Sequence, residues 1–94
     1  MGEKFKRHKE ICEELNEIYI AKNTAYNDSF GKTVAKKGII AAVTRMEDKW
    51  TRFEALASGV QNNVHDESII DTLNDLANYA IMTRIELERM ERNG

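Results

Sequence analysis

The 94-residue chain has no proline, so no pyrrolidine ring interrupts a helix, and its five glycines leave few points at which a helix must stop. Its one cysteine, Cys12, excludes an internal disulfide and a thiolate metal site. Cys12 falls among apolar helical positions, which predicts a plain core thiol. No apolar run reaches the ~20 residues that span a bilayer, and no segment has the form of a signal peptide. The expectations are therefore a cytoplasmic protein and no membrane partner. An excess of positive charge is also missing: 14 Lys and Arg stand against 16 Asp and Glu, a formal charge of -2. Duplex nucleic acid is then excluded as main partner, because too little cationic surplus exists to neutralise its phosphates. A small anion held by a local basic patch is not excluded. Catalytic motifs are missing as well. G-K-T at Gly31 lacks the upstream glycine and strand of a phosphate loop, and no HExxH, Cys-His pair or nucleophile elbow is present. Any chemistry would have to come from carboxylates and a divalent cation.

What remains is a helix-forming composition. Apolar spacing predicts three helices, at about 3–22, 34–57 and 66–92, in an all-α fold of one domain. A chain of this size buries only about two-thirds of its extended surface, so a helical bundle completed by homo-oligomerisation is expected. The first helix would bury Phe5, Ile11, Cys12, Leu15, Ile18 and Tyr19; its His8 reads as a surface residue and its Glu13, Glu14 and Glu17 as an acidic cluster. The second carries Ile39, Val43, Met46, Trp50, Phe53 and Ala57 at alternating spacings of four and three, a seam for near-antiparallel packing. Gly38 is a weak point within it, and the helix could equally start there. Residues 58–65 form a turn containing His65, with Gly59 as helix C-cap, and Asp66 or Ser68 caps the third helix.

The third helix organises the chain. Ile69, Leu73, Leu76, Ala77 and Ala80 form one face, while Glu67, Asp71, Asn74, Asp75 and Asn78 form an acid and amide stripe. Carboxylates one turn apart repel by a few tenths of a kcal/mol per pair, so a cation, a metal or a basic helix should face them. The second helix offers Arg45, Lys49 and Arg52, with Asp48 among them, as a separate stripe. Residues 23–33, N-T-A-Y-N-D-S-F-G-K-T, read as a loop of turn formers that nevertheless carries Tyr26 and Phe30 and is flanked by Lys22 and Lys32. Two roles stay open for those aromatics: stacking on a nucleobase, or plugging the end of a bundle.

Three blocks taken together, K-N-T-A-Y-N-D-S-F with G-K-T, G-I-I-A-A-V-T-R-M-E-D-K-W-T-R-F, and D-E-S-I-I-D-T-L-N-D-L-A-N-Y-A-I, resemble the phage-associated nucleotide modification associated domain 1 family over about residues 11–87. The resemblance implies nucleotide handling in a viral setting. A more distant likeness is to the MazG-like all-α nucleoside triphosphate pyrophosphohydrolases, helical oligomers that hold Mg²⁺ between Glu-x-x-Glu and Glu-x-x-Asp pairs. Asp71 and Asp75, with Glu67 a turn earlier, fit the second pair with substitution and a wider gap. Lys49, Trp50 and Thr51 stand where the first pair wants another acid.

Three functional readings follow. The preferred one is non-catalytic capture of a linear or cyclic nucleotide, as by a viral sponge that antagonises nucleotide-based defence signalling. In it no cofactor is required: Arg45, Lys49 and Arg52, helped by Lys22 or Lys32, hold phosphate, Tyr26 and Phe30 stack on the base, and Asn23, Asp28 or Ser29 read its edges. The second is a Mg²⁺-dependent pyrophosphohydrolase, with Asp48, Glu67, Asp71 and Asp75 as ligands and Asp75 or Glu14 orienting the water. The third is a structural helical interaction module.

Overall fold

The computed structural model describes residues 1–59 and 68–93. It is all-helical over these residues, with four helices: α1 (Gly2–Ala25), α2 (Ser29–Lys37), α3 (Ile40–Ala57) and α4 (Ile69–Asn93). The expectation of three helices is corrected at two points. Residues 23–33 are not a loop: α1 runs on through Ala25, and only 26–28 intervene before α2. The break is made by Asn27 and Asp28, both at positive φ (53° and 52°), a region in which Asn and Asp are enriched among residues with side chains. The second predicted helix, 34–57, is split as well, and α3 begins just after Gly38, the alternative start that the sequence offered. Gly38 adopts φ 85°, outside the range of most side chains, and turns the chain between α2 and α3.

Helix α2 forms because Phe30 and Val34, one turn apart, both find the interior. They join Ala42 of α3 in the central core, against which Ala41, Tyr79 and Met82 pack. Ser68 caps α4, its Oγ accepting from the Asp71 amide at 3.0 Å, which matches one of the two capping residues expected from the sequence. The expected ligand Glu67, with His65 and Asp66, lies outside the described residues.

α4 is the common wall, packing on α1, α2 and α3, most extensively on α3. Arg45 meets Tyr79, Lys49 meets Asp75 and Met46 meets Thr83, so position falls on α4 as it rises on α3: the pair is antiparallel. α1 runs antiparallel to α4 too, with Leu15 opposite Asn78 and Lys22 opposite Asp75.

The faces of these helices are used differently from the sequence expectation. Asp75 and Asn78 of the acid and amide stripe point into the fold, where Asn78 is buried and donates to the Leu15 carbonyl at 3.1 Å, while Asp71 stays exposed. The apolar stripes of α3 and α4 line an open groove, and Val43, Trp50 and Leu73 are exposed rather than core. Cys12 is exposed, not a core thiol, and Phe5 and Ile11 are also exposed, because no described element covers the first half of α1. Among the described residues no helix is long and apolar enough to cross a membrane.

Candidate functional site

The helical period decides what α1 presents to its neighbours. Tyr19, Lys22, Asn23 and Tyr26 recur at intervals of three and one, so carrying the helix through Ala25 places all four on one face. On α4 the same rule aligns Asp75, Asn78, Tyr79 and Met82. These two faces, with Arg45 and Lys49 from α3 and Ser29 and Phe30 from α2, line a pocket of about 350 Å³. That volume lies within the range of small-molecule sites. Among the described residues its walls carry four aromatic rings, three cations and one carboxylate, that of Asp75.

Asp75 sits at the centre of the charge. Its Oδ1 accepts from Lys22 Nζ and its Oδ2 from Lys49 Nζ, each at 2.9 Å. Burial alone would push the Asp75 carboxyl up, but the hydrogen bonds and charges of the two lysines overcome burial and hold it below the ordinary carboxylate range. The hydrogen bond to Asp75, against opposing burial, raises Lys22 above the usual lysine value. Asp75 of the acid stripe is thus offset by two neighbouring helices, one of the three solutions that the sequence pattern called for. Because Asp75 is depressed when folded, its contribution to stability is complete above the unfolded value of about 3.9 and is lost as pH falls through the lower folded value. Lys22, raised when folded, contributes fully below about 10.4 and loses its share as pH climbs through the raised value. Thermal melts should show wild-type Tm falling in acid, and Asp75→Asn should flatten the part of that fall due to this group.

The rings divide their roles. Phe30, 6% exposed, packs on Tyr79 with ring centroids 5.5 Å apart and an interplanar angle of 47°. Such a tilted pair closes the pocket floor and belongs to the core. Tyr26 is 67% exposed and stands at the rim, its face open to a ligand. Of the two roles left open for the aromatics, Phe30 takes the plug and Tyr26 is placed for stacking. The Tyr79 hydroxyl accepts from Arg45 at 3.5 Å, which draws the guanidinium toward the cavity.

Of the expected binding residues, Lys22, Asn23, Tyr26, Ser29, Phe30, Arg45 and Lys49 line this pocket. Asp28, Lys32 and Arg52 do not. Asp28 leads into α2 from the left-handed region, with its carboxylate so close to Gly31 that a Cβ there would fall 2.6 Å from Oδ2. Lys32 is on the exposed side of α2, and Arg52 is one turn beyond Lys49 on α3. Tyr19, Asn78, Tyr79 and Met82 are pocket residues that the sequence reading did not assign to the site.

Among the described residues, the donors expected for Mg²⁺ do not converge. Both Asp75 oxygens are engaged by ammonium groups. Asp48 and Asp71 are exposed and off the pocket, and Glu14 pairs with Arg7 at 3.0 Å on α1. Among the described residues no group of three His, Cys, Asp or Glu side chains is close enough to hold a metal ion. A hard divalent cation needs several oxygen ligands, so these residues do not fit it, and no step is derived through one.

The family model described as nucleotide modification associated domain 1 matches residues 22–87 of the chain, which therefore belongs to that family. The match takes in the Lys22, Lys49 and Asp75 cluster and most of the pocket wall. Neither the search of curated proteins nor that of solved structures found a match.

Proposed function

We propose that this member of the nucleotide modification associated domain 1 family captures a phosphate-bearing nucleotide in the pocket between α1, α3 and α4, and holds it without chemical change. The observation that carries the proposal is the cluster at Asp75. Three cations converge with one carboxylate, leaving a local charge of +2 that matches an anion. In a partly desolvated cleft, charge-assisted bonds from Lys and Arg to phosphate are stronger than neutral ones. Lys22, Lys49 and Arg45 hold the phosphate, exchanging part of their bonding to Asp75 and Tyr79 for it. Tyr26 lies over the base, and Asn23, Ser29 and the Tyr19 hydroxyl offer polar groups for its edges or the sugar.

Capture without turnover is the reading that this charge pattern supports. Hydrolysis of a pyrophosphate in the MazG-like manner needs carboxylates for the metal and a base for the water, whereas the one carboxylate here is held ionised by two lysines. In the phage setting that the sequence resemblance implies, the protein would act as a sponge, removing a linear or cyclic nucleotide that carries a host defence signal. A homo-oligomer is the proposed working form.

The test is to incubate the purified protein with a panel of linear and cyclic nucleotides and Mg²⁺, wash, denature by heat and identify what is released. Intact nucleotide in near-stoichiometric amount is expected. Altered nucleotide would establish the pyrophosphohydrolase reading in its place, and no retained nucleotide would leave the structural module.

A further inference from the structure

We propose that the open apolar face of α3 and α4 is the interface through which two copies of this chain associate, as an antiparallel helical assembly. The face is a groove of about 630 Å³ on the side of the helix pair away from the nucleotide pocket. Val43, Met46 and Trp50 of α3 line one side, and Leu73, Ala77 and Ala80 of α4 line the other. Among the described residues Glu47 is the one charged side chain that reaches it. Half of the Trp50 surface and 38% of Leu73 stand exposed. Water against that much contiguous apolar surface is costly, and faces of this kind mark association sites.

Area identifies the occupant. The chain exposes 7255 Å². A compact monomer of 10.8 kDa exposes about 5,500 Å² by the usual scaling of surface with mass. The excess of about 1,700 Å² is shared between this face and the uncovered first half of α1, and half of it matches the ~800 Å² that one partner buries in a standard interface. The radius of gyration gives the same answer: 15.0 Å, where a compact chain of this length has about 12 Å. A loosely packed chain with this excess needs its partner constantly, and a second copy is the partner always present. The face carries a half-exposed Trp50 and the small side chains Ala77 and Ala80 along the same groove. A two-fold axis brings one such patch against its own copy, so that apolar surface covers apolar surface. An acidic or basic peptide finds no charge partner here beyond Glu47.

Trp50 is the only tryptophan, so its emission reports this face directly. The experiment uses the ligand-free full chain and needs no nucleotide, so it stands or falls separately from the binding proposal. Sedimentation equilibrium and Trp50 fluorescence are recorded over a dilution series, for wild type and for Ala77→Glu. Expected are a wild-type mass of at least two chains, a red shift of Trp50 emission as dilution dissociates it, and association at least 100-fold weaker in Ala77→Glu. If that variant fails to fold, the wild-type dilution series decides alone. A wild type that stays monomeric at every concentration, with Trp50 either exposed or buried by its own chain, overturns the proposal. Assembly that leaves Trp50 emission unchanged, or that Ala77→Glu does not weaken, overturns it too.

Discussion

Lys49→Glu should abolish nucleotide capture. The substitution removes one of three cations from the pocket and sets a second carboxylate facing Asp75, whose Oδ2 now accepts from Lys49 at 2.9 Å. The charge beside the phosphate changes by two units. At a separation of about 5 Å and an effective dielectric near 40, each unit is worth about 1.7 kcal/mol, so the affinity falls by more than about 100-fold. Stability falls as well, since the Lys49 side chain is 25% exposed and Asp75 18%, and the new pair repels where solvent screens incompletely. Lys22 still bonds Asp75, which limits the loss to about 2 kcal/mol, a drop in Tm of about 10 °C for a domain of this size. Calorimetric titration and thermal melts on the same samples measure both. Lys49→Arg keeps the charge and should retain most of the binding. A Lys49→Glu protein that binds as wild type does would remove phosphate from the pocket.

The second large effect is on the fold. Phe30→Ala should cost about 3–5 kcal/mol, the range for emptying a buried aromatic position. The ring is almost fully buried, packs on Tyr79 and belongs to the central cluster with Val34 and Ala42. A small domain holds only about 5–15 kcal/mol in total, so the variant should melt at least ~12 °C lower and bind weakly even when folded, its pocket floor gone. Tyr26→Ala is the contrasting case. With its ring exposed, stability should stay within about 0.5 kcal/mol of wild type while affinity drops by the ~1–3 kcal/mol of a lost base stack. Equal destabilisation by the two substitutions would contradict the division between core plug and stacking ring.

The contrast of Phe30 with Tyr26 also shows where sequence was a sufficient guide. Both are aromatics in a run of turn formers, and both were candidates for stacking. Composition alone could not separate them, because the separation depends on three residues, 26–28, that break the helix and put Phe30 on a new helix with its ring buried. Helix count failed for the same reason. Asn27 and Asp28 at positive φ make a sharp break that leaves helix possible immediately on both sides, whereas a cluster of Asn, Asp, Ser and Gly reads as a long loop. Continuing the helical period from Tyr19 through Lys22 and Asn23 to Tyr26 would have exposed the missing Tyr19, and stepping from Asp75 would have found Asn78, Tyr79 and Met82.

Charge was more legible than burial. Short carboxylates stacked along α4 demanded a cationic partner, and Lys22 and Lys49 supply it to Asp75. Which face of α4 lies inside was not legible, because its apolar stripe and its polar stripe compete for the single-chain interior. Asp75 and Asn78 of the polar stripe take it, with Asn78 satisfied by the Leu15 carbonyl, and the apolar stripe lines an open groove.

The central claim is that a phosphate-bearing nucleotide sits on the Lys22, Lys49 and Asp75 cluster. The most direct measurement is a titration of isotope-labelled protein, followed by NMR, with the nucleotide retained from the panel. Resonances of Lys22, Asn23, Tyr26, Lys49 and Tyr79 should shift together and saturate at one nucleotide per pocket. Shifts confined to the first half of α1 or to the groove around Trp50, with these residues unmoved, would contradict it.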